Sequence, residues 1–86
     1  MALRRRKLGK SVHSGAQSAF CDLMIEARKK AGLTQQELAA RLSKPQSFVA
    51  KYEGGERRID VVEFIAICRA ISADYVEIVR KLAKRA

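Results

Sequence analysis

Tryptophan is absent from this chain, histidine and proline each occur once, and cysteine occurs twice. Each shortage closes off a class of function. His13 stands in a basic stretch with no cysteine or carboxylate at ligand spacing, so no metal centre is expected. Cys21 and Cys68 are too few for a disulfide scaffold. Both fall on faces predicted to be buried, where a free cysteine behaves as a small apolar side chain, and they read as reduced core residues of a cytoplasmic protein. Aromatic residues make up 6% of the chain, which leaves no stacking surface of the kind single-strand nucleic-acid binders use. No apolar run approaches the length of a membrane span, and the first residues carry charge without the apolar segment of a secretory signal. No membrane contact is therefore expected. Nucleophile–base pairs and phosphate-cradling glycine loops are missing too, so neither an enzyme nor a cofactor is expected. Strand-like alternation is scarce, and apolar residues recur instead at three and four, the helical period.

What the chain does have is positive charge. Its 86 residues hold 18 lysines and arginines against 9 acids, a net charge of +9. Five of the bases, Arg4, Arg5, Arg6, Lys7 and Lys10, fall within residues 1–16, where no acid stands; the other 13 share residues 17–86 with all 9 acids. A flexible basic arm over residues 1–16 is expected, followed by one small domain over residues 17–86. The excess favours a polyanionic partner, and an arm rich in arginine can follow phosphates or enter a minor groove.

The domain reads as five helices. The first is predicted from about Gln17 to Ala31, with Phe20, Leu23, Met24 and Ala27 inward, and Cys21 alongside. Arg28, Lys29 and Lys30 suit the negative end of its dipole, and Gly32 stops it. Thr34 and Glu37 form a capping box for the second helix, whose Leu38, Ala39 and Leu42 face inward. Ser43-Lys44 makes a turn. Pro45 fits the first position of a third helix running to Glu53, with Val49 and Tyr52 inward and Phe48 beside them. Asp60 and Glu63 form a second box and Asp74 and Glu77 a third, opening helices with stripes of Val61, Phe64, Ile65, Cys68 and Ile71, then Tyr75, Ile78, Val79 and Leu82.

Two short helices joined by a tight turn, the second with Gln46 and Ser47 at its front, make the plan of a helix-turn-helix. Thr34-Gln35, Leu38-Ala39, Ser43, Val49, Glu53 and Gly55 resemble the helix-turn-helix of Cro- and repressor-type regulators, the xenobiotic response element family. The likeness extends from about Leu23 to Leu82. It implies an all-α fold, a compact five-helix bundle of the lambda-repressor-like type, that binds operator DNA as a dimer and regulates transcription. Gln35 resembles the family glutamine that touches a phosphate and braces the recognition helix. Gln46 and Ser47 resemble a glutamine–serine pair that phage repressors use to read bases, and Lys51 matches another groove-facing position. The chain departs from the pattern at Ser43 and Ser72, where turn glycines are usual, at Pro45, a usual serine or threonine cap, and at Gly54, a usual asparagine.

The chemistry of these side chains suits the same role. A glutamine such as Gln46 can pair bidentately with adenine, Ser47 can serve several bases, Ala50 suits a thymine methyl, and Lys51 can reach guanine or a phosphate. Lys44, Arg57 and Arg58 flank the third helix and are expected on phosphates, as is Gln35 at its exposed helix start. Arg4, Arg5, Arg6 and Lys7 are the candidate DNA contacts of the arm. A homodimer surface is expected from Val62 and Ala66 together with whatever of Tyr75, Val79 and Leu82 remains uncovered. The first reading is a sequence-specific regulator of double-stranded operator DNA, a repressor or autoregulator. The alternative is a protein-interaction module whose partner is a toxin or a co-regulator.

Overall fold

Local signals in the backbone decide where the helices begin. Thr34 adopts an extended backbone, its hydroxyl accepts from the Glu37 N–H at 3.0 Å, and the Glu37 carboxylate accepts from the Thr34 N–H at 2.8 Å. Asp60 and Glu63 repeat this reciprocal arrangement at 2.7 and 2.9 Å. Each box satisfies two amides that a helix start would leave without partners. Asp74 does half as much. Its carboxylate accepts from the amides of Val76 and Glu77, but Glu77 turns to Arg80 at 3.0 Å, so the third expected box is a one-way cap.

A computed structural model describes residues 15–85 of the protein. The basic residues Arg4, Arg5, Arg6 and Lys7 lie outside them. Among the described residues there are five helices and no strand: α1 (Gly15–Lys30), α2 (Gln35–Leu42), α3 (Gln46–Glu53), α4 (Val61–Ala70) and α5 (Tyr75–Arg85). Two boundaries differ from expectation. The first helix starts at Gly15, two residues inside the stretch assigned to the arm. Pro45 is the N-cap of α3 rather than its first residue, with φ −70° and ψ 154°. Its ring fixes φ at a value that either position accepts, so the turn before it decides.

Helix ends share one device. Gly32 and Gly55 take positive φ of 77° and 83°, and Ser43 and Ser72 do the same at 56° and 54°. At Ser43 the left-handed residue lets the Ser43 and Lys44 amides bond back to the Ala40 and Ala39 carbonyls, at 3.1 and 3.0 Å. The two serines thus occupy a conformation that glycine reaches without cost.

The five helices close around one core: Leu23 and Met24 of α1, Leu38 and Ala39 of α2, Val49 and Tyr52 of α3, Phe64, Ile67 and Cys68 of α4, then Ile71 and, from α5, Ile78. Leu38 and Val49 are fully buried, each worth about 1.5–3 kcal/mol relative to exposure. α2 packs chiefly on α3, α1 on α5, and α4 leans on both α2 and α5. Both cysteines are free and buried; burial pushes the Cys68 thiol up to about 11 and also raises that of Cys21. The predicted stripe of α5 is only partly internal. Ile78 is buried and Leu82 half-buried, whereas Tyr75 and Val79 are exposed, because none of the described residues covers that side. Among the described residues no helix is long and apolar enough to cross a membrane.

Candidate nucleic-acid interface

Ala39 is the small residue that lets α2 and α3 cross closely, and it is almost wholly buried, as are Leu38 and Val49 beside it. The Ser43-Lys44-Pro45 turn then aims α3 so that Gln46, Ser47 and Lys51 stand exposed while Val49 and Tyr52 point inward. Ala50 is half-buried on the flank. Pro45 makes no side-chain cap; the Phe48 amide turns back to the Pro45 carbonyl at 2.9 Å, which leaves those of Gln46 and Ser47 to face an anion.

Behind this edge runs a chain of hydrogen bonds that begins in the interior. Glu53, at the far end of α3, has a side chain only 3% exposed and meets Arg28 of α1 in a bidentate pair, Nε to Oε2 at 2.8 Å and Nη2 to Oε1 at 3.0 Å. The third arm of the guanidinium closes the α1–α2 loop on the Leu33 carbonyl at 2.8 Å. The hydrogen bond to Glu53 raises the Arg28 pKa further, against the opposing effect of burial. Gln35 Nε2 also donates to Glu53, at 2.9 Å. A carboxylate only accepts, so this bond fixes which way the Gln35 amide faces. Its oxygen is left to accept from Gln46 Nε2 at 2.8 Å. Gln46 is thereby oriented in turn, and it retains one acceptor and one N–H, the pair that an adenine edge requires.

A second cluster forms the rim. The Phe48 ring, in the first turn of α3, has the Arg57 guanidinium 4.9 Å and the Lys44 ammonium 5.4 Å from its centroid. Phe48 also meets Tyr52 edge-on at 5.4 Å, which braces the ring against the core. Arg57 forks onto Glu63 at 3.2 and 3.0 Å and donates to the Arg58 carbonyl at 3.0 Å. The Arg57 hydrogen bond, more than the Asp60 amide, holds the Glu63 carboxyl below its ordinary range. Arg58 is exposed.

The expected residues thus come together in two groups. Gln35 and Gln46 are bonded to one another, with Ser47, Ala50 and Lys51 along the same helix as Gln46; Lys44 and Arg57 meet the same aromatic ring, with Arg58 next in the chain. Three contributors escaped the sequence reading. Arg28 was assigned to the helix dipole, Glu53 to no physical role, and Glu63 to capping alone. A signal for the first two exists: each charge falls one turn after a core residue, Arg28 after Met24 and Glu53 after Val49, so each lies on an inward face.

A helix-turn-helix family model matches residues 24–78. The chain is similar to an XRE-family like protein from Pseudomonas syringae pv. tomato str. DC3000, with 49% identity over 91% of this chain and 95% of that one, and a TM-score of 0.79. It is similar to the clp gene regulator ClgR from C. glutamicum at 18% identity, covering 81% of this chain and 90% of that one, TM-score 0.73. A mutant of the restriction-modification controller protein C.Esp1396I gives 18% identity, 81% and 93% coverage, and TM-score 0.74. At that identity the last two speak for the fold alone. No curated protein matches.

Proposed function

We propose that this chain, which belongs to the helix-turn-helix family of Cro/C1-type, XRE-type DNA-binding transcription regulators, lays α3 in the major groove of an operator and represses or autoregulates by occupying it. One observation carries the reading. The exposed Gln46 amide is pinned on Gln35, whose own orientation is fixed by the buried Arg28–Glu53 pair, so that one donor and one acceptor are presented in a set direction. A solvated helix start has no need of such a support; a base reader does, because a bidentate pair tolerates little rotation.

Gln46 reads adenine in this arrangement, Ser47 and Ala50 contact its neighbours, and Lys51 takes guanine or a phosphate one turn further on. Lys44, Arg57, Arg58 and the open amides of α3 set register on the sugar–phosphate backbone. The arm residues Arg4, Arg5, Arg6 and Lys7 add contacts to phosphates or a neighbouring minor groove. One helix covers too few base pairs to select a genomic site. Two protomers related by a twofold axis, with α3 helices about 34 Å apart, cover enough.

Selection of bound fragments from random duplex DNA tests this reading. A defined site with twofold symmetry is the expected outcome, and Gln46→Ala is expected to cost about 1–3 kcal/mol on that site while relaxing a single base position. Equal loss on every sequence would remove Gln46 from base reading.

A further inference from the structure

We propose that Glu63 is a built-in competitor for DNA at Arg57: its carboxylate fills the guanidinium fork that a backbone phosphate takes when the protein binds, so that Arg57 exchanges one partner for the other. The inference rests on the DNA-binding reading above and adds a residue that sets its strength.

The geometry carries it. An arginine fork suits a carboxylate and a phosphate alike, because both offer two oxygens at matching separation. Arg57 has two further holds that do not involve Glu63, the Phe48 ring at 4.9 Å and the Arg58 carbonyl at 3.0 Å. These keep the guanidinium beside the first turn of α3, next to Lys44, whichever anion fills the fork. The pair is open to solvent, with side chains 43% and 25% exposed, so a phosphate can reach it.

The charge of Glu63 is also surplus to its structural task. Glu63 Oε1 accepts from the Asp60 amide to complete the capping box, and a glutamine oxygen caps equally well. Its negative charge therefore does something the cap does not need: it offsets the Lys44–Arg57 rim where a polyanion would approach. Asp60 adds a lesser charge effect on Arg57, behind the hydrogen bond and charge of Glu63, and its Oδ1 accepts from the Glu63 amide.

Binding to the selected duplex and to an unrelated duplex should be measured across a salt series for the wild type, Glu63→Gln, Arg57→Ala and the double variant. Glu63→Gln is expected to tighten both complexes about two- to fivefold, the range set by breaking an exposed ion pair. Its log–log salt slope should match that of the wild type, because Arg57 takes the same phosphate in both complexes, whereas Arg57→Ala should flatten the slope by about 0.9. In the Arg57→Ala background the same substitution should bring no gain. A gain that persists without Arg57 reduces Glu63 to bulk charge, and no gain in either background ends the exchange outright.

A wild-type measurement covers the case in which Glu63→Gln unfolds. Neutral methylphosphonates placed singly along the duplex should reveal a position that weakens the wild type but not Arg57→Ala; finding no such position overturns the proposal. The two levels of failure separate cleanly. A wild-type protein that binds no duplex sinks the DNA-binding reading itself, whereas a binding protein indifferent to Glu63→Gln sinks only the exchange.

Discussion

Three N–H groups meet the buried Glu53 carboxylate, two from Arg28 and one from Gln35. Removing the arginine would leave that carboxylate buried with one partner. Arg28→Ala is therefore expected to destabilise the fold by about 3–5 kcal/mol in urea melts at neutral pH. Replacing both charges, as Arg28→Met with Glu53→Leu, should recover most of that loss, since apolar side chains of similar volume often match a buried pair. Failure of the double variant to recover would mean that packing around Arg28, and not charge, sustains this region. A linear reading missed the pair for a physical reason. Arg28 and Glu53 are 25 residues apart, and nothing local announces that they meet. The run Arg28-Lys29-Lys30 also had a sufficient local explanation in the helix dipole. The exposure of Gln46 and Lys51 was legible because it follows from place on a helix; the hydrogen bond from Gln46 to Gln35 was not, because it depends on the crossing of α2 and α3.

Helix boundaries show the same division between local and tertiary causes. The boxes at Thr34 and Asp60 were readable because every atom involved lies within four residues. The position of Pro45 was not, since its φ fits the cap and the first turn equally, and only the preceding turn distinguishes them. Nor was the outer side of α5, where the apolar spacing was genuine but half of it stays uncovered by the described residues. Ser43 offers a direct measurement of what the turn costs. With φ 56° and ψ 42° it holds a side chain in the left-handed region. Ser43→Gly is expected to raise stability by about 1 kcal/mol, read as a higher urea midpoint with unchanged slope. A lower midpoint would point to a stabilising role for the hydroxyl that outweighs the backbone strain.

At the scale of the molecule the uncovered apolar side chains stand out. Val61 and Val62 are 70% and 74% exposed on α4, and Tyr75, Val76 and Val79 are exposed on α5. Val62 was expected on such a surface, together with Ala66, which is exposed as well. On the twofold arrangement proposed above, this surface is the expected contact between copies. Val62→Asp is expected to leave helix content intact, shift sedimentation from dimer to monomer, and weaken operator binding, because a buried unpaired carboxylate opposes association. A dimer that survives the substitution would move the interface elsewhere, with Val79 of α5 the next position to change.

The proposed reading surface is distributed along the chain, and that limits how it can be re-engineered. The helix proposed to read bases, α3, is only eight residues long, and its Glu53 is held by an arginine and a glutamine that belong to two other helices. Transplanting residues 46–53 into a host lacking those two would import an acid with no counter-ion and a glutamine with no rest. The smallest transferable reader is therefore discontinuous: Arg28, Gln35 and the whole of α3, moved together or not at all.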